Sequence, residues 1–429
     1  EDYPVHLFLS REGYFKKITP QSLRMSNQHK LKENDEIIWS GEVNGGAELH
    51  CRQVAEKLAK YHNVEILTTC AIDYNNWRNE YPAGTTEVNG ITVRRFPVEF
   101  IREEFKFNVF SLANPTISLY GYVEDINWMW QQGPLTIELV NYLKYNKFNY
   151  DVFIFMTYLY FTTYAGISIV PEKSILIPTA HDEEDIYRDI FNSVFNLPRA
   201  IFYNTLEEKK FVESRFHNSY IPNDIGGVGV EIPEHIDADA FRKKYELDGP
   251  FLLYIGRITN KKGCDVLFRD FLQYKQETNS PVKLVLMGKS SIEIPDHPDI
   301  ISLGFVSDED KFNGLSACSM LVLPSEFESL SMVLLESFSL KKCALVNGKC
   351  SVLKSHCELS NGGLYYESYA EFAACLDILL NDSVLCEKLG KNAKKYVEQY
   401  YNWDTIIEKL NRLIDRIADP DGNTKDPSR

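Results

Sequence analysis

Glu328, Glu336 and the start of a predicted helix lie close together in the stretch from residue 324 to residue 336. The sequence there is Pro-Ser-Glu-Phe-Glu-Ser-Leu-Ser-Met-Val-Leu-Leu-Glu, and it follows an apolar strand over Met320–Leu323. The backbone N–H groups near Leu330–Val333 lack intrahelical partners, so they attract anionic or oxygen-rich ligands. Glu328 lies at the entrance of this helix, and Glu336 lies within it, where a carboxylate can accept two hydroxyl hydrogen bonds, as from a ribose diol. In the alternative interpretation, Glu328 caps the helix and Glu336 is solvated.

Arg257 and Lys262 flank a second turn between a strand and a helix. The strand Phe251–Ile255 ends just before Arg257, and a helix begins after Gly263. Two fixed cations beside a helix N-terminus suit a pyrophosphate, because each can donate charge-assisted hydrogen bonds to phosphate oxygens. The same residues would also fit an ordinary basic surface loop, so this turn alone leaves both interpretations open.

Two smaller features belong to the first half of the chain. Gly45 and Gly46 directly precede a predicted helix, and paired glycines let the backbone approach a ligand closely, although many tight turns carry them. His181 follows the strand Ser174–Ile177. It is either a ligand-binding side chain or a helix-start histidine bonded to the backbone.

Strands and helices alternate along the chain in two series separated by the glycine-rich stretch 226–229. Short apolar strands that alternate with helices indicate parallel sheets covered on both faces, and ligands bind such sheets beyond the carboxyl ends of the strands. We therefore expect an α/β fold of two facing doubly wound domains with an interdomain cleft. The predicted strands are Glu36–Trp39, Val64–Thr69, Ile91–Phe96, Val152–Met156, Ser174–Ile177, Ala200–Tyr203, Ser219–Ile221, Phe251–Ile255, Lys283–Met287, Ile300–Leu303, Met320–Leu323 and Ala344–Val346. The predicted helices are Ala47–Tyr61, Thr205–Ser214, Cys264–Gln276, Asp308–Ala317, Ser331–Leu340, Tyr369–Leu380, Ser383–Tyr400 and Trp403–Ile417.

Composition and charge exclude several classes of protein. The 429 residues include 46 Lys and Arg against 61 Asp and Glu, a net charge of 46 − 61 = −15, and 44% are hydrophobic. These are globular values, so a collagen, a disordered chain and a small disulfide scaffold are excluded. The acidic balance argues against a broad surface for nucleic acid or an anionic membrane, and it leaves a local basic groove open. Nine cysteines without a Cys-x-x-Cys pair predict free thiols in a reducing cytosol. The apolar run over 152–170 is predicted to be a buried strand followed by a loop and a helical turn, rather than a membrane span.

The motifs together resemble the retaining glycosyltransferases of family 4, which have the two-domain GT-B fold. Arg257 and Lys262 match the family's Gly-Arg…Lys-Gly phosphate loop, Glu328 and Glu336 match its Glu-x7-Glu motif, and Gly45-Gly46 match its amino-terminal glycine loop. The strand ends Leu284–Gly288 and Leu303–Val306 also match, and the resemblance covers about residues 38–418.

The resemblance implies a role for each matching residue. Arg257 and Lys262 would hold the donor diphosphate, Glu336 the ribose, and Glu328 and His181 the transferred sugar, so that the implied catalytic residues are Glu328, His181, Arg257 and Lys262. The family commonly has Glu-Gly-x-Gly where this chain has Ser329 and Ser331, which leaves the donor sugar open. The implied donor-binding residues are Gly45, Gly46, Arg257, Lys262, Ser329, Leu330, Ser331, Met332 and Glu336.

The implied function is transfer of a sugar from a UDP- or GDP-linked donor to an acceptor hydroxyl, with retention of configuration. The expected acceptor is a glycan or glycolipid in surface polysaccharide assembly, and the expected location is cytoplasmic, with peripheral contact at the inner membrane face. No cofactor or metal is expected, because Asp308-Glu309-Asp310 and Asp237-Ala238-Asp239 look like helix starts. The alternative is a non-catalytic protein that binds sugar nucleotides on the same scaffold.

The predicted domains are 38–228 on the acceptor side and 229–402 on the nucleotide-sugar side, followed by a helix over 403–418 and a disordered tail over 419–429. Residues 1–37 are a separate appendage or fusion that resembles a segment of the carboxyl-terminal region of the DNA gyrase A subunit. The aromatic-rich stretch 100–135 has little clear period and is either a cap over the cleft that holds the acceptor or a packed loop subdomain.

Overall fold

The computed structural model describes residues 46–113 and 122–419, together with the strands at 6–10, 15–18 and 37–41. Contacts divide the chain into two compact units. One comprises residues 1–178, 184–200 and 414–429, and the other comprises residues 179–183 and 201–413. The domain boundaries predicted at 228 and 402 stay predictions.

The second unit is organised around a parallel sheet of six strands. With its strands numbered in chain order, the sheet has the doubly wound order 3-2-1-4-5-6, in which the crossovers reverse direction between the first and fourth strands. Its strands are apolar along nearly their whole length because helices cover both faces. They are β11 (Phe251–Ile255), β12 (Lys283–Met287), β13 (Ile300–Ser302), β14 (Met320–Leu323), β15 (Ala344–Asn347) and β16 (Gly363–Tyr366), and a parallel pair, β9 (Ala200–Tyr203) and β10 (Asn223–Ile225), precedes them.

The first unit contains smaller sheets. Strand β6 (Ile91–Phe96) pairs in parallel with β4 (Glu65–Thr69) and antiparallel with β5 (Gly84–Val88), while β7 (Phe153–Met156) and β8 (Ser174–Ile177) form a parallel pair. A three-stranded antiparallel sheet joins β1 (His6–Ser10), β2 (Phe15–Ile18) and β3 (Ile37–Gly41). The strand predicted at Glu36–Trp39 therefore pairs with β1 rather than entering a parallel sheet.

Fifteen α-helices occur within the described residues. They are α1 (Gly46–Leu58), α2 (Glu104–Ala113), α3 (Tyr122–Gln132), α4 (Ile137–Asn146), α5 (Phe161–Ile169), α6 (Phe191–Asn196), α7 (Leu206–Phe216), α8 (Ala238–Lys244), α9 (Cys264–Thr278), α10 (Asp308–Ala317), α11 (Met332–Ser339), α12 (Ser351–Ser360), α13 (Tyr369–Asn381), α14 (Ser383–Tyr400) and α15 (Trp403–Ala418). Of the described helices, none is both long enough and apolar enough to cross a bilayer.

Two predictions about local structure require correction. The strand predicted at Ser219–Ile221 is a turn closed by a hydrogen bond from the N–H of Ile221 to the carbonyl of Asn218, and pairing resumes only after Pro222. The stretch 100–135 contains helices α2 and α3 rather than irregular loops. Its aromatic residues obscured the period because Trp128 packs inward on Phe107 and Phe191, with ring centroids 6.1 and 6.2 Å away. The strands β5 and β16 and the helices α4 and α12 were not predicted.

Other predictions match the described residues. The apolar run over 152–170 forms β7 and then the nine-residue helix α5. All nine cysteines are free, and burial raises the pKa of Cys318 to about 11, so that this thiol is neutral. The predicted tail beyond Asp419 and most of the gyrase-like segment lie outside the described residues, and the origin of that segment stays a prediction.

Candidate functional site

The two sequence motifs emerge side by side at the point where the six-stranded sheet reverses its winding. Strands β11 and β14 are parallel neighbours, with Leu252 opposite Met320, so the loops that follow them leave the same edge of the sheet. These loops are the cationic loop, residues 256–263, and the acidic loop, residues 324–331. In doubly wound sheets this position binds ligands, because crossovers that diverge to opposite faces leave a crevice there.

The cationic loop is held in a tight turn against the acidic loop. Thr259 caps a short 3-10 helix over Asn260–Lys262, with its hydroxyl oxygen accepting a hydrogen bond from the N–H of Lys262 at 3.2 Å. Gly263 has a φ of 71°, and a Cβ at this position would lie 2.5 Å from the carbonyl oxygen of Pro324. Only glycine allows this close approach, so the two loops pack together at backbone distance.

Lys262 and Glu328, predicted as parts of separate motifs, form an ion pair across the two loops. The Lys262 Nζ lies 2.7 Å from Glu328 Oε1, and the side chains are 28% and 17% exposed. Glu328 therefore does not cap the helix, and that alternative is wrong: the cap position is Ser331. Arg257 is exposed at the head of the cationic loop, and its carbonyl oxygen accepts a hydrogen bond from the Tyr254 hydroxyl at 2.7 Å.

Glu336 is the fifth residue of α11, about one turn from its start, and is paired with a cation that sequence reasoning missed. The Lys311 Nζ of α10 lies 2.9 Å from Glu336 Oε1, and the side chains are 21% and 12% exposed. Burial raises the pKa of Glu336, and the neighbouring ammonium opposes that shift. Because 25 residues separate the partners, no local sequence signal indicates the pair.

Ser331 begins α11 in a backbone conformation that favours glycine. Its φ is 64° and its ψ is 76°, and its side chain makes no capping hydrogen bond. Ser329, Leu330 and Ser331 thus lead into α11, and Met332 is its first residue; the leading N–H groups of this helix have no intrahelical acceptor. The resemblance anticipates glycine at residue 331, and the left-handed φ gives the physical reason for it.

Replacing Ser331 with glycine is expected to stabilise the fold by about 1 kcal/mol, because relief of the left-handed strain outweighs the greater chain entropy of glycine. A urea titration measures the change. Ser329→Gly is the matched control. Ser329 does not have a positive φ, so its replacement is expected to destabilise by roughly 0.5 kcal/mol. Equal effects of the two glycines would contradict the assignment of strain to residue 331.

A buried histidine, His356, makes a hydrogen bond to the backbone of the acidic loop. His356 Nε2 lies 3.0 Å from the carbonyl oxygen of Leu330, and its Nδ1 lies 3.0 Å from the Tyr396 hydroxyl. Burial lowers the pKa of His356 to about 4, so the ring is neutral. Because a carbonyl only accepts, Nε2 carries the proton and Nδ1 accepts from Tyr396.

His181 belongs by its contacts to the second unit, although it follows a strand of the first. Its ring centroid lies 6.4 Å from that of Phe327, the residue before Glu328. Its Nδ1 lies 3.8 Å from Glu183 Oε1, and the side chain is 32% exposed. His181 lies in a loop and the following 3-10 helix starts only at Glu184, so the helix-start alternative does not apply.

The remaining predicted residues are placed as follows. Gly45 lies outside the described residues, and Gly46 is the first residue of α1. Asp237 caps α8, and Ser307 caps α10 at the start of the Asp-Glu-Asp run, so both acidic stretches are helix starts as predicted. Through the part of the chain that the structure describes, no group of three His, Cys, Asp or Glu side chains could hold a metal ion.

Comparison with known proteins finds similarity over the part of the chain that carries these loops. Residues 236–396 match the protein family described as glycosyl transferases group 1. The chain is also similar to the uncharacterized glycosyltransferase MJ1607 of Methanocaldococcus jannaschii, with 21% identity over 408 residues that cover 86% of this chain and 93% of that protein.

Solved structures share the fold at low sequence identity. Sucrose-phosphate synthase from Thermosynechococcus elongatus superposes with a TM-score of 0.65 at 16% identity, covering 87% of this chain and 94% of that one. Anabaena HepE in complex with UDP-glucose gives a TM-score of 0.61 at 14% identity, covering 87% and 97%. The predicted fold class, an α/β protein with the two Rossmann-like domains of GT-B glycosyltransferases, is confirmed.

Proposed function

We propose, from the match of residues 236–396 to the group 1 glycosyl transferases, that this protein is a retaining glycosyltransferase that uses a nucleoside diphosphate sugar. The observation that carries the proposal is the Lys262–Glu328 ion pair, 2.7 Å long, at the reversal point of the six-stranded sheet. A cation and a carboxylate paired between the cationic loop and the acidic loop that leads into α11 are suited to a ligand that has both phosphates and hydroxyls.

In the proposed complex, Arg257, Lys262 and the leading N–H groups of α11 bind the diphosphate. Glu336 accepts hydrogen bonds from the ribose hydroxyls, since Lys311 occupies only part of the accepting capacity of its carboxylate. The diphosphate displaces Glu328 from Lys262, and Glu328 then accepts from the hydroxyls of the sugar. His181, beside Phe327, binds the same sugar from the other side of Glu328.

The reaction breaks the bond between the anomeric carbon and the leaving phosphate oxygen and forms a bond from that carbon to the acceptor oxygen on the same face. The acceptor proton passes to the leaving phosphate oxygen. Negative charge grows on the diphosphate as the bond breaks, and fixed cations and helix N–H groups lower the barrier by stabilising that charge. We propose that this stabilisation suffices without a metal ion.

For the donor and the acceptor we propose a chemical class rather than a single compound. HepE has been solved with UDP-glucose, which supports a UDP-sugar here, and a GDP-sugar is the alternative. We propose a glycan or glycolipid acceptor in surface polysaccharide assembly, at a membrane face that the protein contacts peripherally.

The test is thermal unfolding with UDP, GDP and ADP, followed by nucleotide release from the matching sugar donors. A nucleotide present at 100 times its dissociation constant stabilises the native state by about 2.7 kcal/mol, so one of the three is expected to raise the melting temperature by several degrees. Release of that nucleotide in the presence of acceptor would establish transfer. Binding without any turnover would support the non-catalytic alternative, and no shift with any nucleotide would contradict both.

A further inference from the structure

One buried carboxylate in the second unit has no role in the proposed chemistry. Glu208, in the first turn of α7, is 2% exposed. Its Oε1 accepts a hydrogen bond from the N–H of Ala180 at 2.5 Å, and its Oε2 accepts one from the N–H of Asn204 at 2.6 Å. Burial raises the pKa of Glu208 to about 8, against the opposing effect of these donors. Burying an acid costs free energy, so a structural or functional role is expected for the hydrogen bonds that Glu208 makes.

Capping of α7 accounts for only part of this arrangement. Thr205 is the N-cap, and its hydroxyl oxygen accepts from the N–H of Glu208 at 3.1 Å, the usual capping-box contact. The bond from Oε2 to Asn204 completes the start of the helix. The hydrogen bond that Oε1 accepts from the N–H of Ala180 joins residues 28 positions apart. It takes no part in capping α7.

That long-range bond fixes the residue immediately before His181. Thr179, on the other side of Ala180, has a φ of 51°, so the chain bends sharply there. The N–H of Ala180 is thereby tied to the start of α7, and the His181 ring lies beside Phe327. The same helix start also contacts the acidic loop, since the Thr205 hydroxyl lies 3.5 Å from the carbonyl oxygen of Ser329.

We propose that Glu208 is a positioning residue. Its side chain holds the loop of His181 at a fixed position beside the acidic loop that carries Glu328. This inference rests on the proposed function, because only that function gives His181 a donor sugar to bind. Displacing a reacting group by about 1 Å can cost on the order of 100-fold in rate, which is sufficient reason to bury an acid.

The test compares Glu208→Ala and Glu208→Gln with the control Glu207→Gln. Glu207 lies in the same turn of α7 and pairs instead with Lys210 at 3.7 Å. Three quantities are measured: deuterium exchange of the peptide that spans residues 179–183, the dissociation constant of the nucleotide, and the turnover number. The exchange measurement requires no activity, so it tests the loop contact even if the proposed function fails.

Glu208→Ala is expected to speed exchange at Ala180 by about 10-fold or more and to lower turnover by a similar factor, with less than about a 3-fold change in nucleotide affinity. Glu208→Gln is expected to fall between this variant and the wild type, because its amide oxygen accepts from only one of the two N–H groups. Glu207→Gln should match the wild type in all three measurements.

A double-mutant cycle separates positioning from general damage. If Glu208 acts through His181, Glu208→Ala should lower turnover little further once His181→Ala is present. Unchanged exchange at Ala180, or full additivity of the two substitutions, would overturn the proposal. If Glu208→Ala does not fold, Glu208→Gln supplies the same comparisons. Absence of turnover in the wild type would contradict the proposed function while leaving the exchange result to decide the contact.

Discussion

Replacing Lys262 with alanine is expected to lower the rate of nucleotide release from the sugar donor by about 100-fold or more. The substitution removes a fixed cation from the leaving diphosphate, and it leaves Glu328, which is 17% exposed, without its partner at 2.7 Å. Both effects oppose the growth of negative charge at the site. The measurement is the initial rate of nucleotide release at saturating donor.

Lys261→Ala is the matched control. Lys261 is in the same 3-10 helix and is exposed, so its loss changes the charge of the loop equally while leaving the ion pair intact. Little change in rate is expected for this variant. A similar fall for both variants would show that only the overall charge of the loop matters, and an unchanged rate in Lys262→Ala would contradict the assignment of the diphosphate to this residue.

Glu328→Gln tests the same ion pair from its acidic side. In the free protein Glu328 competes with phosphate for Lys262, so its neutralisation should strengthen binding of the nucleoside diphosphate alone by roughly 5-fold, about the free energy of a partly exposed ion pair. Turnover should nevertheless fall, because the carboxylate is lost from the sugar. Weaker nucleotide binding in this variant would argue against the proposed exchange of partners.

Replacing Lys311 with methionine is expected to lower the free energy of unfolding by about 3 kcal/mol at neutral pH. The reason is that Glu336, only 12% exposed, would stay buried without the ammonium that now lies 2.9 Å away. A urea titration measures the loss. Lys311→Met with Glu336→Gln in the same chain should recover much of it, since neither partner then carries an uncompensated charge.

The effect should depend on pH with a definite sign. In the variant, burial holds the pKa of Glu336 above its ordinary value of 4.5, and no neighbouring ammonium opposes that shift. The folded state then binds more protons than the unfolded state, so the stability deficit grows as pH rises above about 4.5 and shrinks as pH falls toward it. A deficit independent of pH would indicate lost packing instead of an unpaired carboxylate.

Lys244→Met is the control for this experiment. Lys244, at the end of α8, pairs at 2.7 Å with Asp310 of α10, the helix that also carries Lys311, but the Lys244 side chain is 54% exposed. Solvent screens such a pair, and less than about 1 kcal/mol is expected from its loss. The comparison therefore isolates burial as the cause of the larger effect at Lys311.

The sequence by itself determined most elements of the second unit, although not β16 or α12, and the motifs that they carry. The bounds predicted for strands such as Phe251–Ile255 and Met320–Leu323 agree with the structure to the residue. A short, continuous apolar run with glycine, proline or charged residues nearby is typical of a parallel strand that helices cover on both faces. The cationic and acidic loops follow directly from these strands. Local patterns therefore fixed which residues stand at which strand end.

Only the tertiary structure decided which side chains meet. The pairs Lys262–Glu328 and Lys311–Glu336 join residues separated by 66 and 25 positions, and the order of strands in the sheet brings them together, which no local period encodes. The Glu208 bond to Ala180 is of the same kind: the capping box is readable in the sequence, but its second contact is not. Register, strand order and burial arise from packing of the whole core, and so a side chain's partner depends on residues far from it in the chain.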